Sequence, residues 1–200
     1  MDELSRLVRA RRMVRAFTAE PVPDDLLAEL LDTARRAPSA GNTQPWDLLV
    51  LRGDAVDRYW AATMPDPEAR RRFRWQGLLA APVLVVPYVR PDAYVERYAE
   101  PDKAATGRGS GTGAWPVPYW WVDGGALVQN LLLACTAAGL GACLFGQFEH
   151  EAAVRAAFGV PDDRRAVGTV AIGWPAPDEP GRSATRPRPP LDDIVHHDRW

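Results

Sequence analysis

The chain has 200 residues, of which 46% are hydrophobic and 25% charged, and its formal net charge is −2. These values are typical of a globular protein with one core and argue against a chain that is disordered along its length. A slightly acidic balance also argues against general nucleic-acid binding, which needs a surplus of basic surface.

The first residues, "MDELSRLVRA", are charged and lack the apolar stretch of a secretory signal. The longest apolar run, around residues 124–138, is too short to cross a bilayer. We therefore expect a cytoplasmic protein with no membrane or nucleic-acid partner, folded as a single domain over residues 1–200. Cys135 and Cys143 fit neither a disulfide framework nor a metal site, so we expect two reduced structural thiols and no bound metal.

Apolar periodicity and breakers predict the elements of the first half in chain order. The first dozen residues form an amphipathic helix, and "PVPDDLLAELLDTARRAP" forms a second helix that Pro38 stops. The runs "WDLLVLR" and "APVLVVPYV" are dense in Val and Leu, which is typical of buried strands. Between these strands, "DAVDRYWAAT" is predicted to be a short helix.

The second half begins with "PDKAATGRGSGTGA", residues 101–114, whose glycines and scarcity of apolar groups predict a mobile surface loop. A phosphate-binding loop is disfavoured there, because the Gly-Lys-Ser/Thr ending is missing. A long apolar helix capped by Gly139, a strand "ACLFG", a helix ending at Gly159 and a strand "AVGTVAIGW" follow. Residues 174–200 are too rich in Pro and Arg to form a core, so they are expected to be an extended arm. The order of elements predicts a layered domain of the α/β or α+β class.

Four segments, "RRMVRAF", "APSAGNTQPW", "GLGACLFGQF" and "RPRPPLDDIV", stand in an order and spacing that resembles the nitroreductase family of FMN-dependent flavoproteins. The resemblance extends from about residue 5 to residue 195. It implies an α+β layered fold with a central mixed or antiparallel sheet of four to five strands flanked by helices. It also implies a homodimer with FMN at the interface, a substrate-side loop at residues 101–121, and a C-terminal extension that reaches the partner subunit.

Three arginines, Arg11, Arg12 and Arg15, stand close together before the second helix. Guanidinium groups are good partners for a dianionic phosphate, so this cluster is predicted to hold the FMN phosphate and ribityl chain. The alternative is a solvated helix end whose charges complement the helix dipole. By resemblance, the later pair Arg186 and Arg188 returns to the same phosphate. The family commonly has Ser where this chain has Met13, so only the backbone of residue 13 could contribute.

Two further segments are expected at the flavin ring. By resemblance, the turn in "APSAGNTQPW" meets the ring from the neighbouring subunit, and the alternative is a turn that only caps the helix and starts the strand. Backbone groups of "CLFGQF" would pack on the ring, with one N–H directed at flavin N5, where a donor stabilises negative charge. The residues concerned are Pro38, Ser39, Ala40, Asn42 and Gln44 in the first segment, and Leu144, Phe145, Gly146 and Gln147 in the second.

The aromatic stretch "AWPVPYWW" includes Tyr119, Trp120 and Trp121, which are predicted to bind a flat substrate over the open face of the ring. The alternative is plain packing at a helix entry.

The resemblance implies an oxidoreductase that passes a hydride from NADH or NADPH through flavin N5 to a nitroaromatic, quinone or similar acceptor by a ping-pong mechanism. No catalytic side chain is assigned, since the cofactor carries the hydride. Two alternatives keep the flavin: a dehydrogenase or dehalogenase of a biosynthetic pathway, and a storage or sensor protein without turnover. A third is an Arg-rich interaction module that binds no cofactor.

Overall fold

The computed structural model describes residues 2–178, 181 and 184–200. An open antiparallel sheet forms its centre, with strand order β1-β2-β5-β3 and with β4 paired to β2. The strands are β1 (Trp46–Arg52), β2 (Val83–Val89), β3 (Gly141–Phe145), β4 (Arg165–Ala166) and β5 (Thr169–Gly173). The predicted α+β class and sheet are confirmed.

Helices cover both faces of the sheet. They are α1 (Asp2–Ala10), α2 (Asp24–Ala34), α3 (Asp54–Thr63), α4 (Pro67–Arg71), α5 (Gln76–Leu79), α6 (Pro91–Ala99), α7 (Tyr119–Ala137) and α8 (Glu151–Phe158). Gly139 and Gly159 adopt φ values of 75° and 64° after α7 and α8, as the predicted caps require. The sequence prediction missed α4, α5 and α6. The first two are too short for a periodic signal, and α6 buries only Ala93 and Tyr94.

The central strand β2 separates two hydrophobic clusters. Val83 and Val85 face the cluster that includes residues of α2 and α7, whereas Leu84 and Val86 face the one that includes residues of α3 and α8. Every residue of β2 is buried because both faces of the sheet are covered. This double burial explains why its sequence is a continuous apolar run rather than an alternating one.

The segment after α1 extends the sheet beyond β3. Met13 forms a parallel bridge with Ala142, and the N–H of Val14 donates to the Ala142 carbonyl at 3.0 Å. A Cβ on Gly141 would lie 2.8 Å from Val14 Cγ1, so this close approach requires glycine. Arg15 is therefore held beside β3, although the two segments are far apart in the sequence.

Strand register brings two of the predicted site segments to one end of the sheet. Trp46 at the start of β1 pairs with Val89, and Phe145 at the end of β3 pairs with Thr169. The turn that precedes β1 and the loop that follows β3 share this end of the sheet, but two strands, β2 and β5, lie between them.

Residues 101–114 form three consecutive 3₁₀ turns at Ala104–Thr106, Arg108–Ser110 and Thr112–Ala114. These turns pack on α6, where a Cβ on Gly109 would lie 2.7 Å from the backbone of Ala99. The mobility of this segment stays a prediction.

The carboxyl-terminal residues 184–200 are exposed along their whole length. Residues 179, 180, 182 and 183 of the predicted arm lie outside the described part of the chain. The reach of this arm to a partner stays a prediction. Within the described residues, no helix is both long enough and apolar enough to cross a bilayer.

Two adjacent glycines of α7 test the packing of this helix on the sheet. A Cβ on Gly124 would lie 2.7 Å from Val167 Cγ2 and 2.9 Å from Val89 Cγ1, whereas a Cβ on Gly125 meets nothing within 4 Å. Gly125→Ala should raise the free energy of unfolding by about 0.5–1 kcal/mol, because alanine loses less backbone entropy in a helix. Gly124→Ala should be less stable than Gly125→Ala by about 1–3 kcal/mol, because the new methyl group overpacks against stiff valines.

Urea unfolding of the two variants measures this difference directly, since both carry the same gain in helix propensity. Equal effects of the two substitutions would contradict the close contact between α7 and the sheet.

Candidate functional site

A cavity of about 300 Å³ opens between the end of β3 and the region of α3, α4 and α5. Its lining includes Arg15 and residues 144–147, which come from two segments that the sequence assigned to the cofactor. The full lining consists of Arg15, Tyr59, Trp60, Thr63, Met64, Phe73, Trp75, Leu78, Cys143, Leu144, Phe145, Gly146, Gln147 and His150. The structure thus brings together two motifs from opposite halves of the chain.

Arg15 is fixed to the cavity wall by three contacts. Its backbone N–H donates to Asp178 Oδ2 at 2.7 Å, and its Nη1 donates to the Met13 carbonyl at 3.1 Å. Its guanidinium carbon lies 5.2 Å from the ring centroid of Trp75, within range of a cation–π interaction. Most of the guanidinium donors are free of hydrogen bonds within the described residues, so they are available to an anionic or carbonyl ligand.

The other two arginines of the cluster do not line this cavity. Arg12 Nη1 donates to the carbonyl groups of Arg9 and Arg11 at the end of α1, which is the helix-end arrangement that the sequence left open. Arg11 Nη1 is buried and has no hydrogen-bond partner in the described part of the chain. An unpaired buried guanidinium N–H is costly, which favours an acceptor from a bound group. The cofactor roles of Arg11, Arg12 and Met13 stay predictions.

The loop after β3 offers polar groups to the cavity. Gln147 is buried, and its Nε2 donates to Thr169 Oγ1 at 3.1 Å, while Thr169 Oγ1 lies 2.7 Å from the Tyr59 hydroxyl. Gln147 Oε1 is buried without a partner among the described residues. The backbone N–H groups of Gly146 and Gln147 likewise make no backbone hydrogen bond within residues 2–178. The loop therefore has two backbone donors without a backbone partner in the described residues, next to the Gln147 side chain, which Thr169 holds in place.

The walls of the cavity are flat and largely apolar. The Trp60 ring stacks on Phe145 with a centroid distance of 5.6 Å and an interplanar angle of 14°. Phe73 and Trp75 come from the segment around α5. The sequence predicted Phe145 at the ring but not Trp60, Phe73 or Trp75, and for the last two the only signal was aromatic side chains interleaved with arginines in "RRRFRW". Such walls suit a flat heterocycle.

The turn at residues 38–44 does not line the cavity of its own protomer. Ala40 N–H donates to Asp123 Oδ2 at 2.8 Å, and Gln44 N–H donates to Ser39 Oγ at 2.9 Å. Pro38, Asn42 and Gln44 are exposed. Within one protomer the turn is a fixed surface feature at the cavity's end of the sheet, and its contact with a flavin stays a prediction.

The aromatic stretch also lies away from the cavity in one protomer. Tyr119 and Trp120 pack around the buried Trp115 ring at centroid distances of 6.0 and 6.4 Å, and the Arg165 guanidinium lies 5.6 Å from the Trp121 ring centroid. These contacts fit the packing alternative, and substrate binding by these residues stays a prediction.

Arg186 and Arg188 are exposed, and neither forms an ion pair or hydrogen bond within the described residues. Within one protomer this pair does not line the cavity of Arg15. Its contact with the FMN phosphate stays a prediction.

Comparisons with known proteins agree with the sequence resemblance. Residues 8–174 match the model of the Nitroreductase family. A Thermus thermophilus protein named NADH dehydrogenase is 33% identical over 181 residues, which is 83% of each chain. A protein of Archaeoglobus fulgidus named for NADH dehydrogenase and NAD(P)H nitroreductase is 26% identical over the whole of both chains.

Two further comparisons cover nearly the whole chain. A 5,6-dimethylbenzimidazole synthase of Rhodospirillum rubrum is 30% identical and covers 94% of this chain and 92% of its own. A Desulfovibrio desulfuricans structure, described as a nitroreductase in complex with FMN, superposes with a TM-score of 0.71 at 23% identity. That alignment covers 98% of this chain and 97% of the other.

Both cysteines are free and buried, in agreement with the predicted reduced thiols. Burial raises the pKa of Cys135 to about 12 and also raises the pKa of Cys143, which lines the cavity. Because the thiolate is the nucleophile, a raised pKa lowers the reactive fraction at pH 8. Both thiols should therefore react with a disulfide reagent at pH 8 only after the protein unfolds.

Release of the chromophore from 5,5′-dithiobis(2-nitrobenzoate) in native buffer and in guanidinium chloride measures this reactivity. A Ser110→Cys variant, which carries a thiol at an exposed position, provides a fast-reacting control. Native cysteines that react as fast as the control would contradict the buried, protonated state.

Proposed function

This chain belongs to the nitroreductase family, and we propose that it is an FMN-dependent oxidoreductase that passes a hydride from NADH or NADPH to a nitroaromatic, quinone or similar acceptor. The observation that carries the proposal is the cavity shared by Arg15 and residues 144–147. Bound flavin would supply the hydride chemistry, accepting and then donating at N5.

The donor set and shape of the cavity fit FMN. The stacked pair Trp60 and Phe145 would give a flat wall for the ring, and the N–H groups of Gly146 and Gln147, which have no backbone partner in the described part of the chain, would give donors for its polar edge. Arg11 Nη1 does not line this cavity, but it is buried without a partner among the described residues and would suit a phosphate oxygen of the same ligand. The backbone N–H of Arg15 already donates to the Asp178 carboxylate, so the guanidinium of Arg15, and not this N–H, would meet the ligand.

The residues around the cavity are preorganised for a ring that gains negative charge. The Arg15 guanidinium supplies a fixed positive charge, and the backbone N–H groups supply fixed dipoles that need no reorientation during reaction. Burial raises the pKa of Tyr59 and of Tyr88 to about 12. Both hydroxyls therefore stay protonated at physiological pH, so the polar groups beneath the loop keep one charge state while the site works.

A homodimer would complete the site. The turn at residues 38–44 and the cavity of the same protomer lie at the same end of the sheet, but β2 and β5 separate them. The turn of a second protomer is therefore the better source of contacts with a flavin. Tyr119, Trp120 and Trp121 stand at the start of α7, beside that turn, and would reach the substrate side of the partner's cavity. The exposed arm would bring Arg186 and Arg188 to the partner subunit. Its exposed Leu191 and Ile194 would become buried against that subunit.

A second candidate function keeps the flavin and changes the reaction. The match to 5,6-dimethylbenzimidazole synthase over nearly the whole chain favours a flavin-dependent step of a biosynthetic pathway. Such an enzyme would bind FMN in the same cavity but would not turn over NADPH with a simple nitroaromatic acceptor.

An absorbance spectrum of the purified protein, followed by anaerobic titration with NADH and with NADPH, tests the proposal. We expect flavin bands that are lost on addition of one or both nicotinamides, and then NADPH or NADH turnover with nitrofurazone or menadione. A colourless protein whose melting temperature does not respond to FMN would contradict the proposal. Bound flavin that neither nicotinamide reduces would instead favour a storage or sensor role.

Arg15→Ala should raise the FMN dissociation constant about tenfold or more, because one charge-assisted contact is worth about 1.5–3 kcal/mol. The fold should stay intact, with the free energy of unfolding lower by about 1–2 kcal/mol, because the variant loses only a half-buried hydrogen bond to Met13 and the cation–π contact with Trp75. Quenching of flavin fluorescence on binding gives the dissociation constant.

Arg35→Ala, which removes an exposed arginine at the end of α2, is the matched control and should bind FMN normally. Equal affinity of the Arg15 and Arg35 variants would remove Arg15 from the cofactor site.

A further inference from the structure

Asp123 is a buried carboxylate in the second turn of α7, with only 6% of its surface exposed. Its Oδ2 accepts two hydrogen bonds, one from the Ala40 N–H at 2.8 Å and one from the Tyr94 hydroxyl at 2.5 Å. Burial first, and the neighbouring Asp123 second, raise the pKa of Tyr94 far above its usual range. One carboxylate oxygen thus joins α7, α6 and the turn at residues 38–44.

The backbone of this turn needs such support. Gly41, Asn42 and Gln44 have φ values of 64°, 53° and 50°, a left-handed conformation that is unfavourable for residues other than glycine. Conformations of this kind persist only where surrounding contacts determine them. Arg97 Nε supplies a second contact by donating to the Gly41 carbonyl at 2.9 Å, and Arg97 is itself held by Asp102.

No ion pair to Asp123 is present in the described part of the chain. Arg97, which contacts the same turn through the Gly41 carbonyl, is paired with Glu100 and Asp102 instead. A buried carboxylate without a counterion is costly, and an apolar side chain would pack at this position of α7 without that cost. The carboxylate is therefore explained by the two donors it accepts from rather than by packing.

We propose that Asp123 is a positioning residue, which fixes the turn at residues 38–44 in the conformation that completes the flavin site of the partner subunit. Asp123 acts through the Ala40 N–H and does not touch the flavin. This inference rests on the proposed function, because it takes the turn to contact FMN across a dimer.

The first test compares Asp123→Ala with Asp123→Asn. Asp123→Ala leaves the Ala40 N–H without an acceptor and should raise the FMN dissociation constant about tenfold or more. Asp123→Asn keeps an oxygen that accepts from both donors, so it should restore much of the affinity. Asp92→Ala, which removes an exposed carboxylate from the start of α6, is the control.

Wild-type FMN affinity in Asp123→Ala would overturn the inference. If the parent protein binds FMN and all Asp123 variants bind equally well, only this inference fails. If the parent protein binds no FMN, the proposed function itself fails.

A second variant covers the case in which Asp123→Ala does not fold. Ala40→Pro removes the N–H donor and leaves the buried carboxylate in place. Ser39 has φ −141° and ψ 147°, which is the conformation favoured before proline, and Ala40 opens a 3₁₀ turn. Ala40→Pro should weaken FMN binding about tenfold, and unchanged binding would overturn the inference.

A mixed dimer identifies which subunit the turn serves. Chains carrying Arg15→Ala and Asp123→Ala are co-expressed with different affinity tags, and flavin is counted at a concentration that saturates the parent but neither variant homodimer. The Asp123→Ala chain keeps an intact cavity, and the Arg15→Ala chain supplies an intact turn. We expect one FMN per mixed dimer. If each turn served its own protomer, both sites would be defective, and a mixed dimer without FMN would overturn the assignment.

Discussion

The backbone pairing of Met13 and Val14 with Ala142 is the contact on which the candidate site depends. It converts a loop after the first helix into an added edge of the sheet and thereby sets Arg15 beside the end of β3. The pairing is possible because Gly141 has no side chain at the point where Val14 approaches. A guanidinium carried on a free loop would lose conformational entropy on binding a ligand, whereas this one is already in place.

The cavity follows from the alternation of side chains along β3. Ala142 and Leu144 face the cluster under α7, and Cys143 and Phe145 face the cluster under α3. Phe145 stacks on Trp60 of α3, so the ring that ends the strand also forms a wall of the cavity. The strand ends there, and in the loop that follows the N–H groups of Gly146 and Gln147 have no backbone partner within residues 2–178.

Much of the fold could be predicted from the sequence because a strand or helix that is buried on all sides has a continuous run of apolar residues. The apolar run of β2 and the apolar length of α7 gave strong local signals, and Gly139 and Gly159 marked two helix ends. Helix α6 was not predicted because it packs on the 3₁₀ turns that follow it rather than on the main core, and it buries only Ala93 and Tyr94. Residues 101–114 were predicted to be a loop without regular structure. Their 3₁₀ turns pack through small residues, which give no periodic apolar pattern in the sequence.

The candidate site was predictable in outline but not in detail. The motifs named Arg15 and residues 144–147, which meet in the cavity, but nothing local separated Arg15 from Arg12, which turns back onto the end of α1. The aromatic walls from Trp60 and Trp75 depend on tertiary contacts that no motif encodes. The same holds for Asp123, whose importance emerges only when its two donors are found on distant segments.

We propose that Arg15 and residues 144–147 line one cavity that binds FMN. A crystal structure of the protein with FMN tests this claim most directly. We expect FMN in this cavity, with the ring against the backbone of Gly146 and Gln147, the Arg15 guanidinium in contact with the cofactor, and the turn at residues 38–44 approaching from the partner subunit. Flavin bound elsewhere, or a cavity that stays empty at saturating FMN, would contradict it.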